Sequence, residues 1–220
     1  MNNKQLKIAI LGGTGKEGTG LALRWAAAGY KIIIGSRQAE KAEMAAKAIN
    51  AQLSIEAASG MENNDAARQA DLCVMTVIQA AHMQMIADLK DALKGKILVD
   101  ATARVDFRDP RPPGPPSAAQ QSQEYLGPDV RVVAAFENVP ASRLTKSLDQ
   151  PVDADIFVCS DDMEAAEQVI MLARAAGMRG FYAGGLVNAI VVESLTSILI
   201  SINKYYHVNN ASIRISGVEP

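Results

Sequence analysis

Two histidines and two cysteines are all that this 220-residue chain offers toward metal or thiol chemistry. Cys73 and Cys159 stand singly inside the apolar runs DLCVMTV and DIFVCS, form no CxxC, and share no ligand spacing with the histidines, so no metal site is expected. Their strand-like surroundings read as buried free thiols of a reducing compartment. An excess of one charge is missing too: 22 basic residues meet 24 acidic ones, for a net charge of −2. That balance argues against a nucleic-acid partner held by phosphate neutralisation. No leader-type segment is evident, because MNNKQ runs straight into the strand-like KIAIL. The longest apolar stretch, GLVNAIVVESLTSILISI, carries Glu193 mid-span with Asn188 and Asn203 in or beside it, which argues against a membrane helix. A cytoplasmic, soluble protein without a membrane partner is the expectation. A chain of this size buries about 70% of its unfolded surface on folding, so it needs no disulfide or metal staple.

Short β-rich runs alternate with longer helical patterns. KIAIL (7–11), KIIIG (31–35), LSIEA (53–57), DLCVMTV (71–77), KILVDA (96–101), VRVVAAF (130–136), ADIFVCS (154–160) and MRGFYA (178–183) are the strand candidates. Strands separated by helices of about 10–15 residues imply right-handed crossovers and a mostly parallel, doubly wound α/β sheet of the Rossmann type. Continuous apolar runs in the early strands fit a sheet covered on both faces. A composition break spans residues 105–123, with five prolines and a glycine between Asp109 and Ser117, and reads as a stiff surface loop or a substrate-flanking lid. From about Val139 the pattern turns helical and ends in an apolar helix near 187–204, a core or dimer element. The expected division is a dinucleotide-binding domain over 1–140 and a smaller, mainly helical region over 141–220 that closes the cleft and contributes to a homodimer.

The stretch KIAILGGTGKEGTG runs an apolar strand into Gly13, Gly15 and Gly18, a G-x-G-x-x-G that opens a helix. Gly13 serves the tight turn, Gly15 lets the backbone approach a pyrophosphate, and Gly18 allows close helix–strand packing. The helix N-terminus adds unpaired N–H groups and about half a positive charge. A nucleotide-triphosphate clamp fails on spacing: it requires glycine where Ile10 stands, and Ser or Thr where Glu17 follows Lys16. The ligand is therefore a dinucleotide. An NAD site usually places Asp or Glu at the end of the second strand to bond the ribose 2′-hydroxyl. Here Ser36 and Arg37 stand there, with Lys41 one helical turn on, and these groups suit a 2′-phosphate. NADP(H) is expected over NAD(H).

With LGGTGKEGTGLALRWAAAGYKIIIGSRQAEKAE, RVVAAFENVPASRL and GLVNAIVVESLTSILISIN in view, the chain resembles the NADPH-dependent coenzyme F-420 reductase family. The likeness runs over most of the chain, and the VVAAF-x-x-VPA and GLxN…VESLT blocks are its specific part. The resemblance implies an oxidoreductase passing hydride between NADP(H) and the 8-hydroxy-5-deazaflavin coenzyme F-420. It implies that Thr14, Gly15, Lys16 and Glu17 line the pyrophosphate and adjoining ribose, while Ser36, Arg37 and Lys41 take the 2′-phosphate. Val77, Ile78 and Gln79, with Thr102, Ala103 and Val105, would run beneath the nicotinamide half. The deazaflavin would stack against Glu137, Asn138, Val139, Pro140 and Leu186. Family members commonly carry histidine where this chain has Glu137. A carboxylate beside an anionic deazaflavin is unfavourable unless Glu137 is protonated or turned away.

Such chemistry asks the protein for stacking, distance and electrostatics, since the cofactors supply the reacting atoms. No residue is singled out as catalytic. His82 and His207 show no sequence partner and read as structural or surface residues. Glu137 reads either as a satisfied polar residue at a strand end or as substrate-facing. Asp161 and Asp162 open a helix and read as its cap, and the nine methionines read as fillers of core gaps. Two rivals stand beside the leading reading: a reductase of the same fold acting on an imine, ketone or other flavin-like acceptor, and a non-catalytic NADP(H)-binding protein.

Overall fold

The computed structural model describes residues 6–218, and the MNNKQ segment lies outside the described residues. The first five strands are β1 (Lys7–Leu11), β2 (Lys31–Ser36), β3 (Ala58–Glu62), β4 (Leu72–Met75) and β5 (Ile97–Asp100). With β6 (Arg131–Ala134) they form one sheet in the order β3-β2-β1-β4-β5-β6, every pair parallel. This is the doubly wound order expected, and it puts the topological switch point, where such folds bind ligands, between β1 and β4. The crossover helices are α1 (Lys16–Ala27), α2 (Ala39–Leu53), α3 (Asn63–Gln69), α4 (Gln79–Leu93) and α5 (Ala118–Leu126). Alternate residues of each inner strand feed opposite faces. Ile8, Ile10, Ile32, Ile34, Val74 and Val99 pack on one side. Ala9, Leu11, Ile33, Cys73, Met75 and Leu98 pack on the other. Both cysteines are buried free thiols, as expected, and burial pushes each thiol up to about 12, which leaves them inert.

Beyond Pro140 the chain adds α6 (Ala141–Leu144), β7 (Asp155–Val158), α7 (Met163–Ala175), β8 (Arg179–Tyr182) and the long α8 (Ala189–Tyr205). β7 and β8 pair in parallel as a separate two-stranded sheet, joined to β6 by an antiparallel bridge between Ala134 and Cys159. Ile156, Val158, Val169 and Leu172 enter the same apolar cluster as Trp25 and Phe136. Buried Arg24 adds a polar tie: its guanidinium donates to the main-chain carbonyls of Leu144, Lys146, Gln150 and Ala176. Asp162 caps α7 through Ala165 N at 2.8 Å, as expected, and Asp161 accepts from Leu186 N at 2.9 Å.

Two boundaries differ from the sequence expectation. LSIEA is not a strand: α2 continues through Leu53, and the third strand is ASGME, five residues later. The reason is close packing. A Cβ on Gly60 would meet the α2 backbone at Ala42 and Glu43 within 2.2 Å, so this edge strand is chosen for small residues instead of β-branched ones. The proline-rich break ends at Ser117, not residue 123. Ser117 and Gln120 exchange the two bonds of a capping box that starts α5. The loop ahead of it is tied down by Arg104 Nη2 to Gly114 O and Lys204 Nζ to Arg108 O, each at 2.8 Å.

A candidate dinucleotide and hydride-transfer cleft

A cavity of about 840 Å³ opens at the C-terminal ends of β1, β2 and β4. It takes Thr14 and Gly15 from the first crossover, Ser36, Arg37 and Lys41 from the second, and Val77 and Ile78 after β4. Gly12 is left-handed at φ 67°, and its N–H donates to Asn63 Oδ1 at 3.0 Å, while Gly13 N donates to Gly35 O at 2.9 Å. The loop's shape is thus held by the neighbouring crossover. An added Cβ separates the tasks of two glycines. On Gly18 it would meet Gly13 Cα and Thr76 Oγ1, each at 2.7 Å; on Gly15 it meets nothing within 4 Å. Gly18 is needed for packing, whereas the space over Gly15 is open, which fits a pyrophosphate resting on the backbone. Gly15 is also the N-cap of α1 and has no side chain to cap it, so that helix end carries no N-cap side-chain hydrogen bond. Ser36 is buried, Arg37 and Lys41 are exposed, and among the described residues neither cation has an ion-pair partner. Glu62, Asn63, Gln84 and Asp88 also line the cavity and were not legible in the sequence. They belong to the edge strand and to helix starts or faces that carry no motif.

The residues expected beside the nicotinamide and acceptor from Gln79 onward do not line this cavity; those after β5 and β6 lie just beyond the C-terminal ends of these strands. Thr102, Val105, Glu137, Asn138, Val139 and Leu186 are buried, Ala103 and Pro140 half-buried, Lys16 and Gln79 exposed. Val139 and Leu186 contribute to the two apolar clusters, and Asn138 Nδ2 donates to Asp155 O at 2.7 Å, tying β6 to β7. Among the described residues, four buried side-chain oxygens lack a hydrogen-bond partner: Glu17 Oε1, Thr102 Oγ1, Glu137 Oε2 and Asn138 Oδ1. All four belong to residues singled out from the sequence. Orphaned buried polar atoms are few in folded proteins and call for an explanation. Glu17 as a residue is half-buried, but its Oε1 is shielded, and burial pushes its carboxyl up to about 8. Glu137 is raised well above the usual carboxylate range, first by burial and then by the nearby carboxyls of Asp100, Glu193 and Glu17, against the lowering effect of a backbone amide.

Asp100, at the end of β5, behaves in the opposite way. Burial pushes its carboxyl up, but bonds from His82, Ser122 and Thr102 outweigh this and hold it below the usual range. His82 Nε2 lies 2.7 Å from Asp100 Oδ2, Ser122 Oγ donates to the same oxygen at 2.7 Å, and Thr102 N donates to Oδ1 at 3.1 Å. The sequence showed no partner for His82, because Asp100 and Ser122 come from other crossovers. The three residues are no catalytic triad. A relay uses both ring nitrogens of the histidine, whereas here Nε2 faces both partners, and the serine proton is committed to the carboxylate. Their role is to fix the Thr102 turn. Glu193 fixes the next residues: its carboxylate accepts from Arg104 N, Nε and Nη2 and from Ala118 N.

A doubly wound sheet, a glycine crossover open to a pyrophosphate and a cationic rim beyond β2 define a dinucleotide-binding oxidoreductase. The chain belongs to the coenzyme F-420-dependent NADP oxidoreductase family. The family model "NADP oxidoreductase coenzyme F420-dependent" matches residues 7–104. The chain is 43% identical to the F420-dependent NADP reductase of Methanocaldococcus jannaschii, over 97% of this chain and 100% of the relative. It is 40% identical to the enzyme of the same name from Methanothermobacter thermautotrophicus, over 97% and 96%. A crystal structure from Arthrobacter sp. FB24, of a protein proposed to be an F420-dependent NADP reductase, superimposes with a TM-score of 0.80 at 26% identity. It covers 96% of this chain and 99% of that one.

Proposed function

We propose that this protein transfers a hydride between NADP(H) and coenzyme F-420. The observation that carries the reading is the cleft at the switch point, which is open over Gly15 and whose far rim offers Ser36, Arg37 and Lys41. Relatives named F420-dependent NADP reductase, 39–43% identical over nearly the whole chain, support the second substrate. When bound, the nicotinamide supplies the hydride and the deazaflavin accepts it. The chain's own residues then have limited tasks. Backbone N–H groups from Gly15 onward hold the pyrophosphate, Arg37 and Lys41 hold the 2′-phosphate, and Val77, Ile78 and the Thr102 turn support the nicotinamide. Glu137, Pro140 and the segment around Leu186 flank the acceptor. The test is direct: purified protein, NADPH and oxidised coenzyme F-420 are mixed and the deazaflavin's visible absorbance is followed. Rapid bleaching supports the reading, and NADPH binding without bleaching overturns it.

The preference for NADP(H) has its own test. A charge-assisted hydrogen bond contributes about 1.5–3 kcal/mol, so Arg37→Ala should weaken NADPH binding by roughly 10- to 100-fold while leaving NADH binding within about twofold. Titration of both nucleotides measures this, and equal losses for the two would remove Arg37 from the 2′-phosphate site.

We also infer a cytoplasmic homodimer formed through α8. Val187, Val191, Ile198, Ile202 and Tyr205 are exposed and recur at helical spacing along one side of this helix and the turn before it. The segment Leu186–Tyr205 is also long and apolar enough to cross a membrane by length and composition alone, with 33% of its most apolar window buried. On the opposite side, Glu193 is committed to Arg104 inside the protein, which favours a docked helix. Light scattering of a Val191→Glu, Ile198→Glu variant should report a monomer where the parent reports a dimer; an unchanged mass for the pair of proteins would refute this interface.

A further inference from the structure

We propose that Glu137 is the proton donor that accompanies hydride transfer, a role that rests on the reading of this cleft as a hydride-transfer site. Hydride leaving NADPH carries one hydrogen and an electron pair, and it leaves NADP⁺ behind. An acceptor that takes the hydride gains one negative charge and needs one proton to reach its reduced form. In this step the Glu137 Oε2–H bond breaks and the proton passes to an electronegative ring atom of the acceptor. The carboxylate left behind is re-protonated from solvent, so the protein ends the cycle unchanged. In the reverse direction the same carboxylate accepts the proton.

Three observations carry this. Glu137 is only 8% exposed, yet its Oε2 has no hydrogen-bond partner among the described residues, so this oxygen is buried without a structural task. Its position is enforced at a cost. Phe136, immediately before it, is a bulky residue at φ 77°, a left-handed conformation that persists only where packing over-determines it. The Phe136 ring is fully buried edge-on against Trp25, with centroids 5.6 Å apart, and its carbonyl accepts from Val139 N at 3.1 Å to close the turn. Thr196 Oγ1 from α8 donates to Glu137 O at 2.8 Å and fixes the other side.

The charges around Glu137 select its protonation state. Asp100 at the end of β5, Glu17 on α1 and Glu193 on α8 all act on it, and Glu193 is shared with Arg104. The Cys159 thiol at the end of β7 also feels the Glu137 charge. Asp100 is lowered by its three donors while Glu137 is raised, first by burial, and environments that drive two carboxyls apart mark an acid and a fixed charge. Burial raises the Glu137 carboxyl, so its protonated form persists to higher pH than that of a free carboxylate, and both acid function and binding of an anionic acceptor fall as pH rises through its titration. Glu17 titrates in the same field, so the two ionisations are coupled.

The experiment begins with infrared spectra of the protein without nucleotides at pH 7. A protonated carboxyl band should be present in the parent, reduced in Glu137→Gln, and lost from the parent at alkaline pH. Kinetics with NADPH and oxidised coenzyme F-420 follow. Glu137→Gln should turn over about a hundredfold more slowly, keep its NADPH dissociation constant within twofold, and lose the alkaline limb of its pH–rate profile. Glu17→Gln should shift that limb without removing it. A Glu137→Gln protein with parental turnover and pH profile overturns the proposal, as does a parent with no protonated carboxyl band at pH 7. The spectra need no variant and no substrate. Failure of the parent to bleach the deazaflavin would therefore count against the functional reading and leave the proton on Glu137 separately measured.

Discussion

Gly18→Ala should lose more than a hundredfold in NADPH affinity and about 2 kcal/mol in stability, while Gly15→Ala should lose affinity alone. A methyl group on Gly18 would lie 2.7 Å from Gly13 Cα, 2.7 Å from Thr76 Oγ1 and 2.9 Å from Gly13 O. Two of those atoms are backbone of the glycine loop itself, so the loop must move, and overpacking of this kind costs about 1–3 kcal/mol. A shift of about 1 Å in a positioning element is enough for a hundredfold loss. A methyl on Gly15 meets nothing of the protein within 4 Å, and its backbone, at φ −78° and ψ 170°, is one that alanine adopts freely. Its stability should hold or rise by about 0.4–1 kcal/mol, because the unfolded chain loses freedom. Its NADPH affinity should fall at least tenfold, since the methyl occupies the space of the pyrophosphate. Thermal melts without nucleotide, paired with NADPH titrations, separate the two effects. Parental affinity in Gly15→Ala would show that the pyrophosphate lies elsewhere.

Arg24→Met should lower stability by about 4 kcal/mol and the melting temperature by roughly 10 °C, without touching the cleft. The guanidinium satisfies four main-chain carbonyls: Leu144 and Lys146 at 2.8 Å, Ala176 at 3.2 Å and Gln150 at 3.3 Å. Methionine fills a similar volume but leaves those oxygens unpaired, at a cost of about 1–3 kcal/mol each before relaxation. The damage falls where the chain after Pro140 packs on α1, beside the Trp25 indole that donates to Leu172 O at 2.8 Å. Arg24→Lys should recover only part of the loss, because a single ammonium cannot reach four separated acceptors. A methionine variant melting within about 2 °C of the parent would show that water replaces the guanidinium.

Much of the fold was legible because its signals are local. KIAIL followed by three spaced glycines announces a strand, a tight turn and a helix start, and each landed within a residue of its expected place. Ser36, Arg37 and Lys41 follow from the second strand in the same way, because their separation in sequence is already their neighbourhood in space. The third strand was misplaced because ASGME carries no β-branched residue; its smallness answers to the α2 backbone lying against Gly60. The capping box at Ser117 was hidden inside a segment dominated by its prolines. Asn63, which holds Gly12 from 51 residues away, had no signal at all.

By itself the sequence determined the doubly wound architecture, the dinucleotide class and the phosphate that the rim is suited to hold, since periodicity, glycine spacing and charge type act over a few residues. The tertiary structure alone decided the character of the acids. Glu17, Asp100, Glu137 and Glu193 are ordinary carboxylates in the chain, and only folding brings them into one desolvated field. Three donors then hold Asp100 low, Arg104 partners Glu193, and burial raises Glu137, whose Oε2 is left without a partner among the described residues. Burial and Coulomb interaction depend on distance through space, which the order of residues along the chain does not contain.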